Sequence, residues 1–183
     1  MSVETTPGDI LRFWFQETTE ASWWKVDPAF DAVLRQRFQP LLLQAAAGEL
    51  HAWRDSAQGR LAEVMVLDQF PRNIHRGTPQ AFAQDPMALV LSQEAVRSGA
   101  LAELPPVQRG FLLMPYMHSE SAAIHALADP LYRDHAPGGN YEFELKHKAI
   151  IDRFGRYPHR NAILGREPTP EETAFLQQPG SSF

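Results

Sequence analysis

Three ionisable residues stand where the helical pattern calls for a hydrophobe. Leu61, Val64 and Met65 define an apolar stripe, and Asp68, seven residues after Leu61 and four after Val64, falls on it. Ala123, Ile124, Leu127 and Leu131 define a second stripe, and Glu120, seven residues before Leu127, shares its face. Phe143, Ile150, Ile151 and Phe154 define a third, with His147 four residues after Phe143. A carboxylate placed in a core without a partner costs several kcal/mol or takes up a proton. These groups must therefore find partners in each other or in an arginine. Two outcomes stay open: a buried network that fixes helix packing, or a site, since perturbed ionisable groups concentrate where proteins function.

Two corners of similar composition offer those partners. Phe70-Pro71-Arg72-Asn73 precedes His75-Arg76-Gly77, and Tyr157-Pro158-His159-Arg160-Asn161 precedes Leu164-Gly165-Arg166. Each follows an amphipathic helix that its proline is expected to end or kink. A guanidinium presents five donors in a fixed fork, and the neighbouring asparagine adds a donor and an acceptor, which together suit a carboxylate or phosphate. Arg153, Arg156, His159, Arg160 and Arg166 fall in one short stretch whose only acid is Asp152. Either these arginines form an anion pocket or they cap helix C-termini and clamp Asp68 and Glu120.

His118-Ser119-Glu120 reads as a helix start with Ser119 as N-cap. Its alternative is acid–base work by His118, tuned by Glu120 or another carboxylate. A metal site is not expected. His118, His125, His135, His147 and His159 have no HExxH-type spacing, and His118 and Glu120 do not share a helix face. The absence of cysteine excludes a thiolate zinc site, a disulfide scaffold, a cysteine nucleophile and an iron–sulfur centre. No G-x-S-x-G elbow, phosphate loop or dinucleotide fingerprint is present, so no cofactor is expected.

The elements that must position these groups are helices. Five of the 15 prolines follow a capping residue: Thr6-Pro7, Asp27-Pro28, Thr78-Pro79, Asp85-Pro86 and Thr169-Pro170. Thr169 with Glu172 completes a capping box. Phe30, Val33, Leu34, Phe38, Leu41 and Leu42 trace one face and predict a helix over about 28–46, closed by Gly48, that Pro40 should kink or split. Further helices are predicted at about 8–17, 57–70, 86–98, 106–114, 119–134, 141–154 and 170–177. Gly99 is placed as a C-cap. No segment alternates with period two, so no sheet is predicted. Trp14, Trp23, Trp24 and Trp53, with Phe13 and Phe15, are expected to pack the N-terminal helices; a binding platform at Trp23-Trp24 is the alternative.

With 183 residues, 44% hydrophobic and 21% charged, the chain reads as one helical domain over 1–183, with frayed ends at about 1–5 and 179–183. A net charge of −5 disfavours nucleic acid. No apolar run reaches the roughly 20 residues of a membrane span, and no signal peptide is visible, so the expected compartment is the cytoplasm. Arginine outnumbers lysine by 14 to 3, which suits planar anion recognition.

The motifs also resemble a known family. Leu67-Asp68-Gln69-Phe70-Pro71-Arg72-Asn73, Ala81-Phe82-Ala83-Gln84-Asp85, Met114-Pro115-Tyr116-Met117-His118-Ser119-Glu120 and the run from Arg153 to Arg166 are similar to the family numbered 924 among domains of unknown function. The resemblance extends from about Ile10 to about Leu176. It implies the tetratricopeptide-like (TPR-like) superfamily, that is, an all-α fold of antiparallel helix pairs stacked as a right-handed bundle, and it implies no activity. No 34-residue repeat is readable in the chain itself. Members often carry glutamine soon after the His-Ser-Glu motif, where this chain has Ser121-Ala122-Ala123-Ile124-His125.

The expectation that follows is a pocket for a small anionic metabolite. Arg72, Arg156 and Arg160 would hold the anion, with Arg153 and His159 beside them. Asn73 and Asn161 would orient it, Asp68 would line the same pocket as a ligand-binding residue, and His118, Glu120 or His147 would move a proton. The alternative is a TPR-like module that binds a peptide or protein in a groove and whose polar network is purely structural.

Overall fold

The computed structural model describes residues 5–183, so the expected frayed N-terminus lies, but for Thr5, outside the described residues. Ten helices follow in order: α1 (Pro7–Arg12, continued as a π turn over Phe13–Glu17), α2 (Glu20–Trp24), α3 (Pro28–Ala46), α4 (Ala57–Ile74), α5 (Asp85–Arg97), α6 (Ala100–Glu103), α7 (Pro106–Met117), α8 (Ala122–His135), α9 (Asn140–Phe154) and α10 (Pro170–Phe175). Short 3-10 turns cover His51–Asp55, Pro79–Phe82 and Pro158–Arg160. No strand occurs among the described residues, and the chain is all-α as its caps and periodicity predict. Among the described residues no helix is long and apolar enough to cross a membrane.

Local chemistry starts several of these helices. Thr6 accepts from the Asp9 amide and Thr169 from the Glu172 amide, each in a reciprocal capping box, and Asp27 accepts from the amides of Ala29 and Phe30. Other expectations fail for stated reasons. Thr78-Pro79 opens a 3-10 turn, not an α-helix. Asp85 is the first residue of α5, not its cap, because Arg72 takes its carboxylate. Ser119 lies before α8, whose N-cap is Ser121. Pro71 and Pro115 do not end their helices: α4 runs on to Ile74 and α7 to Met117. Pro40 does not split α3. The helix before the second corner ends on Gly155, left-handed at φ +68°, ahead of Pro158.

Neighbouring helices pack in antiparallel pairs. Asp31 and Arg35 near the start of α3 meet Arg76 and the Ile74 carbonyl at the end of α4. Arg60 near the start of α4 meets Glu94 late in α5, while Arg72 meets Asp85 at its start. His125 and Asp129 of α8 meet Glu144 and Tyr141 of α9 in the same reversed order. At the centre, α4 is buried along almost its whole length and packs on α1, α3, α5 and α7. Its unbroken run Leu61-Ala62-Glu63-Val64-Met65-Val66-Leu67 explains this, since a helix apolar all round belongs inside. The one acid in that run, Glu63, takes both ends of Arg54. Trp14 is fully buried against Trp23, Phe30, Phe70 and Phe111, which fixes the N-terminal helices on α4 and α7. Trp24, 64% exposed, still stacks on Phe111. Ile150, Ile151 and Tyr157, with Phe154 and Phe175, form a second and much smaller apolar cluster at the C-terminal end.

Candidate functional site

The stripe position predicted for Asp68 is real: it lies buried in the C-terminal half of α4, facing the end of α7. There His118, the residue after Met117, places its Nδ1 2.8 Å from Asp68 Oδ1. Gln69 donates to the second carboxylate oxygen at 2.6 Å, and Arg72, one turn on, donates to the Asp68 carbonyl at 2.6 Å. Burial pushes the Asp68 carboxyl up, but Arg72 and His118 outweigh it and hold the group well below the usual carboxylate range. An ionised carboxylate only accepts, so His118 Nδ1 carries the proton. Burial and then the Arg72 charge lower the His118 pKa, which keeps the ring neutral at neutral pH. Among the described residues the ring bonds only through Nδ1, which leaves Nε2 as an acceptor, and the side chain retains 17% exposure. A carboxylate-oriented, neutral imidazole with an open nitrogen is the arrangement of a general base.

The backbone of His118 is held as firmly as its ring. The last carbonyls of a helix lack intrahelical donors. Here Tyr157 Oη donates to the Met117 carbonyl (2.5 Å), Arg160 Nη2 to that of His118 (3.1 Å) and His125 Nε2 to that of Ser119 (2.9 Å). Since a carbonyl only accepts, His125 Nε2 carries a proton, and its Nδ1 shares another with buried Glu144 Oε1 at 2.6 Å. Burial raises the Glu144 pKa.

The two arginines at the corners converge, and their asparagines do not. Arg72 grips Asp85 through both terminal nitrogens at 2.8 and 2.9 Å. Arg160 reaches the same carboxylate only at 3.4 Å. Its guanidinium lies over Phe82 (4.5 Å) and Tyr157 (4.7 Å), it is 6% exposed, and its Nε has no partner among the described residues. Burial, then the neighbouring Arg72 charge, lower its pKa. Asn73 turns toward α3, donating to the Gln69 carbonyl and accepting from Arg76, which itself holds Asp31.

The other predicted residues fall into separate groups. Glu120 pairs with Arg166 (2.7 and 2.9 Å) and accepts the Tyr157 amide. Arg166 donates to Asn161, Asn161 to Glu172, and Arg156 grips Glu172 at 2.7 and 2.8 Å. Arg153 meets Glu171 on the surface. His147 donates Nδ1–H to the Phe143 carbonyl (2.7 Å) and stacks on Phe183, while His159 has a buried Nδ1 without a partner among the described residues. Burial pushes His147 down to about 3 and, with the Arg160 charge, His159 to about 4. Asp68, Arg72, His118 and Arg160 are thus brought together, with His147 and His159 nearby. Glu120, Arg156 and Asn161 belong to a neighbouring lattice, and Asn73 and Arg153 lie apart. Among the described residues no three His, Asp or Glu side chains are placed to share a metal ion. Sequence reasoning missed Asp85, Phe82, Tyr157 and His125 as members. The pattern Phe82-x-x-Asp85 and the tyrosine before Pro158 were the available signals.

A family model described as a bacterial protein of unknown function, DUF924, matches residues 10–180. The solved structure of a protein of unknown function, ATU0120 from Agrobacterium tumefaciens, is similar at a TM-score of 0.89 and 38% identity, covering 93% of this chain and 96% of that one. No curated protein matches the sequence.

Proposed function

This chain belongs to the DUF924 family of bacterial proteins, and from that premise we propose that it binds a small carboxylate- or phosphate-bearing molecule at Arg160 and moves a proton on it with His118. The observation that carries this reading is the state of Arg160. Among the described residues it is a buried cation whose only carboxylate contact is long and whose Nε is unpartnered, and its pKa is pushed down. Two cations, Arg72 and Arg160, face two anions, Asp68 and Asp85, but Arg72 takes the close contacts of Asp85. A bound anion supplies Arg160 with the partner it lacks. His118, oriented by Asp68, is the nearby base, and hydrolysis or proton transfer is the reaction class that asks least of a sequence without cofactor-binding motifs. Nucleic acid, membrane, metal and cofactor have no part in this reading, and the compartment proposed is the cytoplasm.

Thermal unfolding with a panel of phosphorylated and carboxylated metabolites tests it. At least one anion raises the wild-type Tm, Arg160→Ala abolishes the rise, and Arg160→Lys, which keeps the charge without the fork, retains part of it. His118→Gln keeps the binding and loses any turnover. If no anion moves the wild-type Tm, the reading fails.

A second reading has its own support. Glu120, Arg166, Asn161, Glu172 and Arg156 satisfy one another fully enough to be a packing device. The chain is then a TPR-like module for a peptide or protein partner, with a structural polar network. That reading expects Arg160→Ala to unfold the protein and every small anion to be inert.

A further inference from the structure

Phe183 lies flat on His147, with ring centroids 3.7 Å apart and planes 23° from parallel, and is itself 55% exposed. We propose that this face of His147 is a subsite for a planar aromatic ring and that Phe183 occupies it as an internal stand-in. The proposal rests on the preceding reading only for the anionic half of the ligand.

The chemistry of the slot follows from its walls. His147, on α9, is buried and donates Nδ1–H to the Phe143 carbonyl, so its ring is fixed in orientation and tautomer. Tyr157 meets His147 edge-on at 5.7 Å, and His159 meets Phe183 edge-on at 6.0 Å. A floor of one imidazole with edge-on neighbours accepts a flat ring by offset stacking. Both imidazoles are uncharged at neutral pH, so the slot favours neutral aromatic surface over a cation or an anion. The buried, unpartnered Nδ1 of His159 offers one directional contact to a ring substituent.

The slot adjoins the anion site. The Tyr157 ring that borders His147 also lies 4.7 Å from the Arg160 guanidinium carbon, and the unpartnered Nε of Arg160 belongs to that same side chain. A ligand with its ring on His147 and its anionic group at Arg160 is an aromatic or heteroaromatic carboxylate or phosphate, of which benzoate is the simplest probe. The stand-in is lightly held. Besides the stacking, the segment leading to Phe183 is tied by the hydrogen bond from Ser181 Oγ to the Leu176 carbonyl at 3.2 Å.

The test titrates wild type and Phe183→Ala with benzoate, acetate and neutral benzamide, read by calorimetry and by the ring-proton resonances of His147 and His159. Removing the exposed Phe183 side chain leaves the core untouched. In Phe183→Ala, benzoate binds about tenfold more tightly than acetate and more tightly than it binds wild type, and benzamide shifts the His147 resonance. Adding His147→Ala removes the discrimination. Equal affinity for benzoate and acetate in Phe183→Ala, or a His147 resonance that benzamide leaves unmoved, overturns the subsite. Loss of both anions with benzamide still shifting His147 instead sinks the anion role of Arg160 and leaves the ring subsite standing.

Discussion

His118 is fixed twice, its ring by Asp68, 50 residues before it, and its backbone carbonyl by Arg160, 42 residues after it. The Asp68 anchor has a pH signature. Its folded pKa lies below the ordinary aspartate value of 3.8, so its stabilisation is complete above that value and is lost as pH falls through the folded one. Asp68→Asn should therefore lower stability by about 2 kcal/mol at neutral pH, the worth of a buried hydrogen bond to a charged group. Urea unfolding should show a gap from wild type that is unchanged down to about pH 4 and narrower at about pH 2.5. The same substitution should lower the His118 pKa further, since it removes the carboxylate that raises it; an upward shift in an NMR titration would contradict the assignment. Much of this cluster was legible in the sequence, because an aspartate on an apolar stripe and an arginine beside a proline are conspicuous by type. The pairing was not legible. His118 takes an aspartate 50 residues away, not Glu120 two residues on, because which carboxylate reaches it depends on where the end of α7 meets the side of α4. Asp85 carried a sound local signal as an N-cap and lost that role to Arg72, a long-range partner with more donors.

Helix starts with a capping side chain were readable to within a residue or two, as at Pro28 and Pro170, because the cap is local chemistry. Helix ends at proline were not. A proline inside a helix costs about 3 kcal/mol through its missing N–H and the clash one turn back. Yet α4 continues past Pro71, because Phe70, Asn73 and Ile74 are buried and repay that cost through packing that no local rule sees. The helices α2 and α6, five and four residues long, are too short for any period to show. The same tight packing makes a contrast between two glycines. A Cβ on Gly59 would stand 1.8 Å from the Trp53 carbonyl oxygen, a backbone atom that cannot move without shifting the whole 3-10 turn. A Cβ on Gly110 would stand 2.6 Å from Asn140 Nδ2, the tip of a side chain that can swing aside. Gly59→Ala should thus cost about 3 kcal/mol or more and lower Tm by roughly 10 °C, and Gly110→Ala about 1 kcal/mol and roughly 3 °C. Thermal melts followed by circular dichroism check the order; equal losses would mean that the start of α4 is not clamped to that turn.

The molecule is unevenly built. Most of its helices share one large apolar core, whereas Tyr157 and its neighbours rest on a cluster of a few side chains and on a lattice of ion pairs. Within that lattice Glu172 is decisive. It closes the capping box of α10 by accepting the Thr169 amide, accepts from Asn161 and takes Nε and Nη2 of Arg156, and the Arg156 hydrogen bond chiefly drives its pKa from 4.5 to about 2. A carboxylate with a depressed folded pKa stabilises fully above its unfolded value and ceases to do so as pH falls through the folded one. The lattice therefore weakens between pH 4.5 and about 2, while the core, where apolar packing that binds no proton outweighs the single Asp68 anchor, persists longer. Pepsin at about pH 2 should then cut first between Gly155 and Gln178 and leave α4 intact. Glu172→Gln should bring the same cuts to neutral pH with thermolysin, at a Tm lower by roughly 3–6 °C. The consequence reaches the site, because Tyr157 and Arg160 are the side chains that grip the end of α7. A Glu172→Gln protein with intact helices should have lost whatever affinity for anions the wild type shows, since the arginine that supplies it is positioned by the least apolar part of the molecule. Simultaneous cleavage of α3, α4 and the 155–178 segment would show instead that the chain opens as one unit and that the lattice positions nothing by itself.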